Sequence, residues 1–210
     1  MAWTRVGHAA VKRGSLIVLE GLDGTGKSTQ LPRLAQRLSV SGREVVTTRE
    51  PYDCAAGRKI RELAQRPVPM AALEELALFV EQRRIHVRER IAPALARGAL
   101  VLSDRYFLST VAYQGARGLD AAQLLAESEG EFPLPDLALL LVLAPELGLE
   151  RVAARGGTQE PAFERADFLA RVLAIFDALD RPYIERVDAA GPPDAVEARI
   201  AEAVQRRLGI

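Results

Sequence analysis

Residues 15–28 read SLIVLEGLDGTGKS, and they decide the fold. The first six, SLIVLE, form a short aliphatic run that halts at a glycine, the pattern of a buried strand. From Ser28 to about Val40 the apolar residues recur at helical spacing until Gly42 stops them. Between strand and helix, Gly21-Leu-Asp-Gly-Thr-Gly26-Lys27-Ser28 fits G-x-x-x-x-G-K-[ST], a phosphate-binding loop. Each part has a physical task. Glycines let backbone N–H groups turn inward around an anion, and the helix that follows points its positive end at it. The residues expected to hold ATP are Gly21, Leu22, Asp23, Gly24, Thr25, Gly26, Lys27, Ser28 and Thr29. Lys27 would reach the β and γ phosphates and the Ser28 hydroxyl would ligate Mg²⁺. An ordinary glycine-rich turn is the bland alternative, and the strand-then-helix setting argues against it.

Outward from this loop the chain alternates strand and helix. Strands are expected at residues 44–48 (EVVTT), 99–103 (ALVLS) and 137–143 (LALLLVL), with a short last one at 187–189. Helices are expected at 57–65, 71–97, after 104, 145–154, from the loop at 156–161 to about 186, and 193–208. Leu73, Leu76, Phe79 and Val80 should share one face of the long 71–97 segment, which Pro93 should kink or end. Near-continuous apolar strands separated by helices predict a three-layer α/β fold, a five-stranded parallel sheet with helices on both faces. Ligands of such sheets bind at the carboxyl ends of the strands.

Composition narrows the partners. In 210 residues, 28 Lys and Arg balance 28 Asp and Glu, so the basic excess expected of a nucleic-acid binder is absent. A single cysteine, Cys54, excludes an internal disulfide and fits a reducing, cytoplasmic setting. No apolar run is long enough to span a bilayer. Residues 1–14 lack the apolar core of a secretory signal and read as a loose extension; residues 15–210 read as one domain.

A phosphate loop needs a second acid for the magnesium shell at a neighbouring strand end, and Asp104 directly follows ALVLS. A GTPase would carry an N-K-x-D-type base reader, and none is found. A kinase must instead hold a second anion, and three arginine-bearing segments could do so: 48–51 (TREP), 104–106 (DRY) and 79–83 (FVEQR). Phe79 and Arg83, at i and i+4, share a helix face and suit a base that stacks and presents a carbonyl. Solvated charge and core packing are the bland readings of these residues.

With these blocks in view, the chain resembles the thymidylate kinases. The resemblance runs from Ser15 to the C-terminus and rests on LEGLDGTGKSTQ (19–30), TREP, GRKIREL (57–63), the Phe79/Arg83 pair and DRYFLSTVAYQGARG (104–118). It implies transfer of the ATP γ-phosphoryl group to dTMP with Mg²⁺, in a homodimer packed through long helices. It also implies roles. Phe79 would stack on the thymine, Arg83 would bond O4, and Thr110 and Gln114 would hold the ring's other polar atoms. Arg61 and Arg105 would clamp the 5′-phosphate, with Glu50 and Pro51 beside it. Asp23 would face the 3′-hydroxyl and Tyr113 would disfavour ribonucleotides.

Two places depart from the family pattern. Tyr52, Asp53 and Cys54 follow TREP where bacterial relatives usually carry glycines, and a carboxylate there is unwelcome unless it meets a cation. Family members place a catalytic arginine either in the phosphate loop, here Gly24, or in a lid. The lid at 155–165 has Glu160 near the expected position, so Arg155 is taken as the catalytic arginine, with Arg165 as the other candidate. Rival readings are another deoxynucleoside monophosphate kinase and a nucleotide-binding regulator without turnover.

Overall fold

Ser15–Glu20 (β1) lies in the middle of a parallel sheet, flanked by Leu100–Asp104 (β3) and Leu137–Val142 (β4). Val45–Arg49 (β2) pairs beyond β3 and Ile184–Asp188 (β5) beyond β4, completing five strands in the order β2-β3-β1-β4-β5. The computed structural model describes residues 13–66, 70–144, 147–148, 151 and 166–210. The described helices are Lys27–Ser39 (α1), Ala55–Leu63 (α2), Ala72–His86 (α3), Ala92–Ala96 (α4), Phe107–Ala116 (α5), Ala121–Glu131 (α6), Ala166–Ala178 (α7) and Pro193–Leu208 (α8).

The period-two geometry of a strand sorts β1 between two cores. Leu16 and Val18 face one side, packed with Phe107, Val111, Val172 and Phe176 of α5 and α7. Ile17 and Leu19 face the other, against Leu34 and Leu38 of α1 and Ile200 and Val204 of α8. Both faces being covered explains why the central strands read as unbroken apolar runs, as expected.

The edges read differently, and there the sequence misleads. β5 is Ile184–Asp188 rather than 187–189, and the preceding helix stops at Ala178 rather than near 186. An edge strand with Glu185 and Arg186 between Ile184 and Val187 carries too little apolar pattern to stand out. Pro93 neither ends nor breaks its helix. A π turn at Val87–Ile91 widens the coil, Ala92 N–H donates to Val87 O, and α4 continues with Pro93 in its first turn, where no N–H is needed. The expected apolar stripe also splits. Leu76 and Val80 pack on the core, Phe79 turns to a cavity, and Leu73 is 67% exposed.

Sheet register fixes the site. Asp104 is level with Leu19 of β1 and Arg49 of β2, so the loops leaving three adjacent strands begin at the same height.

Candidate active site

The loop after β1 wraps the start of α1. Gly24 and Gly26 adopt φ of 85° and 94°, the left-handed region that a side chain resists. At Gly24 a Cβ would also lie 2.2 Å from Gly148 O, so any side chain there would require the Gly148 backbone to shift. Lys27 is buried and donates to Gly21 O (2.9 Å) and Leu22 O (2.7 Å). Burial, with Arg105 adding to it, pushes its ammonium down to about 8. Ser28 and Thr29, the next residues of α1, are exposed at its N-terminus.

Asp104 closes β3 with its Oδ1 buried and without a partner. Among the described residues no three His, Cys, Asp or Glu side chains gather to hold a metal. One unpartnered carboxylate oxygen beside a phosphate loop nevertheless fits Mg²⁺, which takes one or two protein oxygens and completes its shell with water and substrate phosphates.

Arg105 follows at φ 69°, a left-handed backbone on a non-glycine residue. Its N–H donates to Leu19 O, and Ser103 Oγ donates to Arg105 O, which hold the backbone in place. The guanidinium then donates to Gly21 O (3.2 Å), Ser109 Oγ (2.9 Å) and Asp23 Oδ1 (2.5 Å), and lies over the Tyr113 ring. Burial works against its charge, but Asp23 and its neighbours hold the group above the usual arginine range.

Beyond Arg105 opens a cavity of about 250 Å³. Asp23, Glu50, Pro51, Arg61, Phe79, Arg83, Arg105, Thr110, Tyr113 and Gln114, all singled out in the sequence, line it together. Ile60, Ala64, Glu75, Tyr106 and Ser109 line it too and were not anticipated. Tyr106 and Ser109 sit within the DRYFLS block, where a signal existed. Glu75 reads as one more acid in the first turn of a helix.

The polar wall of the cavity is a buried network. Arg83 is 1% exposed and binds Glu50 through Nε and Nη2, with Nη2 also donating to Thr110 Oγ1 (2.7 Å). Glu50 further accepts from Gln82 Nε2 (3.0 Å), and its Oε1 lies 3.0 Å from His86 Nδ1. His86 Nε2 is 2.7 Å from Thr48 Oγ1, and Tyr52 stacks on the imidazole with ring centres 4.6 Å apart. Burial alone would push the Glu50 carboxyl up; Arg83 and His86 hold it below the usual carboxylate range. Tyr52 thus packs on this network. Asp53 meets cations, Arg61 at 3.0 Å and Arg58 at 3.3 Å, while Arg61 also donates to Pro51 O.

A second recess, of about 340 Å³, lies on the other flank of the loop between Gly24, Thr25, Gly26, Thr29 and Gln30 on one side and Arg151, Gly191, Pro193 and Val196 on the other. Arg151 donates to Ala189 O and Gly191 O. The Gly-Pro-Pro turn at 191–193, at the carboxyl end of β5, was its signal in the sequence. Arg155, Glu160 and Arg165 lie outside the described residues.

A phosphate loop flanked by two recesses, with an arginine at the junction and a second arginine-lined wall, defines a nucleoside monophosphate kinase, a phosphotransferase. Comparison with known proteins agrees. A sequence profile described as thymidylate kinase matches residues 19–200. The thymidylate kinase of Desulfotalea psychrophila is 42% identical over 93% of this chain and 96% of its own length. That of Akkermansia muciniphila is 42% identical over 94% of each chain. That of Xanthomonas euvesicatoria is 46% identical over 87% of this chain and 80% of its own. The chain belongs to the thymidylate kinase family.

Proposed function

We propose that the enzyme transfers the γ-phosphoryl group of ATP to the 5′-phosphate of dTMP, giving dTDP and ADP. The observation that carries this reading is the continuity of the 250 Å³ cavity with the phosphate loop through Arg105 and Asp23. An acceptor phosphate at the mouth of the cavity meets Arg61 and Arg105, with the phosphate loop directly behind. A phosphate oxygen of dTMP forms the new bond to Pγ as the bond from Pγ to the β–γ bridging oxygen breaks, and ADP leaves with that electron pair. The acceptor is already anionic near neutral pH, so alignment and charge neutralisation suffice. Lys27 would leave its resting contacts on Gly21 and Leu22 for the β and γ phosphates. Ser28 and Asp104 would hold Mg²⁺, which when bound neutralises charge on the transferring phosphates.

In the acceptor cavity Phe79 would stack on the pyrimidine. Arg83, whose Nη1 makes no hydrogen bond to the described residues, would donate to O4. Tyr113, held under Arg105, would face the sugar, and Arg155 would supply the remaining positive charge from the lid. The 340 Å³ recess would take the adenosine end of ATP. The protein would act in the cytoplasm as a homodimer, for which the exposed Leu73 of α3 and Leu134 after α6 supply apolar surface.

ADP release measured with dTMP, dUMP, dCMP and dGMP as acceptors tests the proposal. Turnover led by dTMP is the expected result. Turnover led by another acceptor would replace dTMP in the scheme, and ATP binding without ADP formation would remove the kinase reading. Lys27→Ala should lower kcat about 100-fold or more.

A further inference from the structure

We propose that Glu75 determines which pyrimidine edge the cavity accepts, by holding the Gln114 side-chain amide in one of its two orientations. The inference rests on the acceptor reading above and adds a residue to it.

Glu75 is buried and lines the cavity although it belongs to the first turn of α3, where an acid ordinarily faces solvent. Its Oε2 accepts from Gln114 Nε2 at 2.5 Å, across 39 residues of sequence. The same oxygen accepts from Arg117 Nη1, and the other arm of that guanidinium donates to Met70 O. Glu75 is therefore a fixed acceptor, tied to a cation that is itself anchored to backbone.

A primary amide has a donating and an accepting end. A carboxylate only accepts, so the NH₂ end of Gln114 must face Glu75. Oε1 is left for the cavity, where it is buried and has no partner. Across the same cavity Arg83 Nη1 is a donor without a hydrogen bond to the described residues. One buried acceptor, Gln114 Oε1, and one donor on the buried Arg83 side chain form a template. Thymine and uracil match it with N3–H and O4. Cytosine presents a bare N3 and an amino group, the reverse pattern, and would leave both protein groups unsatisfied. Were Gln114 turned over, its NH₂ end would meet the cytosine N3 and the rejection would relax. Sites built to satisfy buried polar groups discriminate strongly because the wrong ligand leaves those groups unpaired. In this scheme Glu75 is a positioning residue, acting through the Gln114 amide that it holds.

The test compares kcat/KM for dTMP, dUMP and dCMP in wild type, Glu75→Leu and Glu75→Gln, and repeats Glu75→Leu in a Gln114→Ala background. Glu75→Leu removes the acceptor and should lower kcat/KM for dTMP about 10- to 100-fold. The loss should fall mainly in KM for dTMP, with KM for ATP unchanged, and the dTMP-to-dCMP ratio should narrow by a similar factor. Glu75→Gln can place an amide oxygen where Oε2 now sits and should keep most of the discrimination. With Gln114→Ala already present, Glu75→Leu should narrow the ratio no further. If Glu75→Leu does not fold, Glu75→Asp replaces it. That change withdraws the carboxylate by one methylene from Gln114, and the same narrowing is expected. Equal losses for all three acceptors, or narrowing that persists without Gln114, would overturn the proposal. A wild-type enzyme that does not favour dTMP over dCMP would instead bring down the acceptor reading, and the role of Glu75 with it.

Discussion

At the scale of single residues, Glu20 shows how far the site reaches inward. It ends β1 fully buried, accepts from Tyr106 N–H and Ser109 O–H, and Ser109 in turn accepts from Arg105. Burial pushes its carboxyl up to about 7, against the pull of the Ser109 hydrogen bond and Arg105. The folded-state value is raised above the ordinary 4.5, so its contribution to stability is full below about pH 4.5 and is lost as pH climbs through 7. The loss is at most roughly 3 kcal/mol. Glu20→Gln stays neutral throughout. Its melting temperature minus that of wild type should therefore grow more positive between pH 5 and 8, and a flat difference would show that Glu20 does not titrate there. Residues of this kind were only partly legible. Glu50 stood out in TREP and Arg83 beside Phe79, yet their pairing could not be read, because it joins positions 33 apart through a fold not visible in either motif. Asp53 looked out of place in sequence because its partners, Arg58 and Arg61, lie on the next helical turns.

At the scale of elements, the phosphate loop and α1 were legible because their geometry is dictated locally by glycine placement. The π turn was not, since it is a response to Pro93 within a helix otherwise free to continue. β5 escaped because consecutive polar residues, Glu185 and Arg186, interrupt its short apolar pattern. The loop's glycines are not equivalent, and substitution should separate them. A Cβ at Gly26 meets nothing within 4 Å, so Gly26→Ala should cost only the backbone penalty, about 1–2 kcal/mol. Gly24→Ala adds a collision with Gly148 O to a similar penalty. Thermal melts without nucleotide should rank wild type above Gly26→Ala and Gly26→Ala above Gly24→Ala. A Gly24→Ala protein as stable as Gly26→Ala would show that the Gly148 contact yields freely.

At the scale of the whole molecule, three layers and a five-stranded parallel sheet followed from alternating apolar segments, while the strand order did not; the parallel register brought three motif blocks to the carboxyl end of the sheet. What alternation cannot specify is which helix faces turn outward. Leu73 is solvent-facing on α3, and α3 is tied to α6 by the Arg84–Glu131 ion pair. If that face joins two copies, wild type should sediment as a dimer and Leu73→Glu should shift it toward monomer, while a monomeric wild type would remove the proposed assembly. The contact between Gly24 and Gly148 also bears on how such enzymes can be recombined. A phosphate loop bearing arginine at this position could not simply be transplanted into the chain, because the neighbouring backbone already fills the room that the new side chain needs. The loop and the segment resting on it form one exchangeable unit, and a graft that moves either without the other should fail to bind nucleotide.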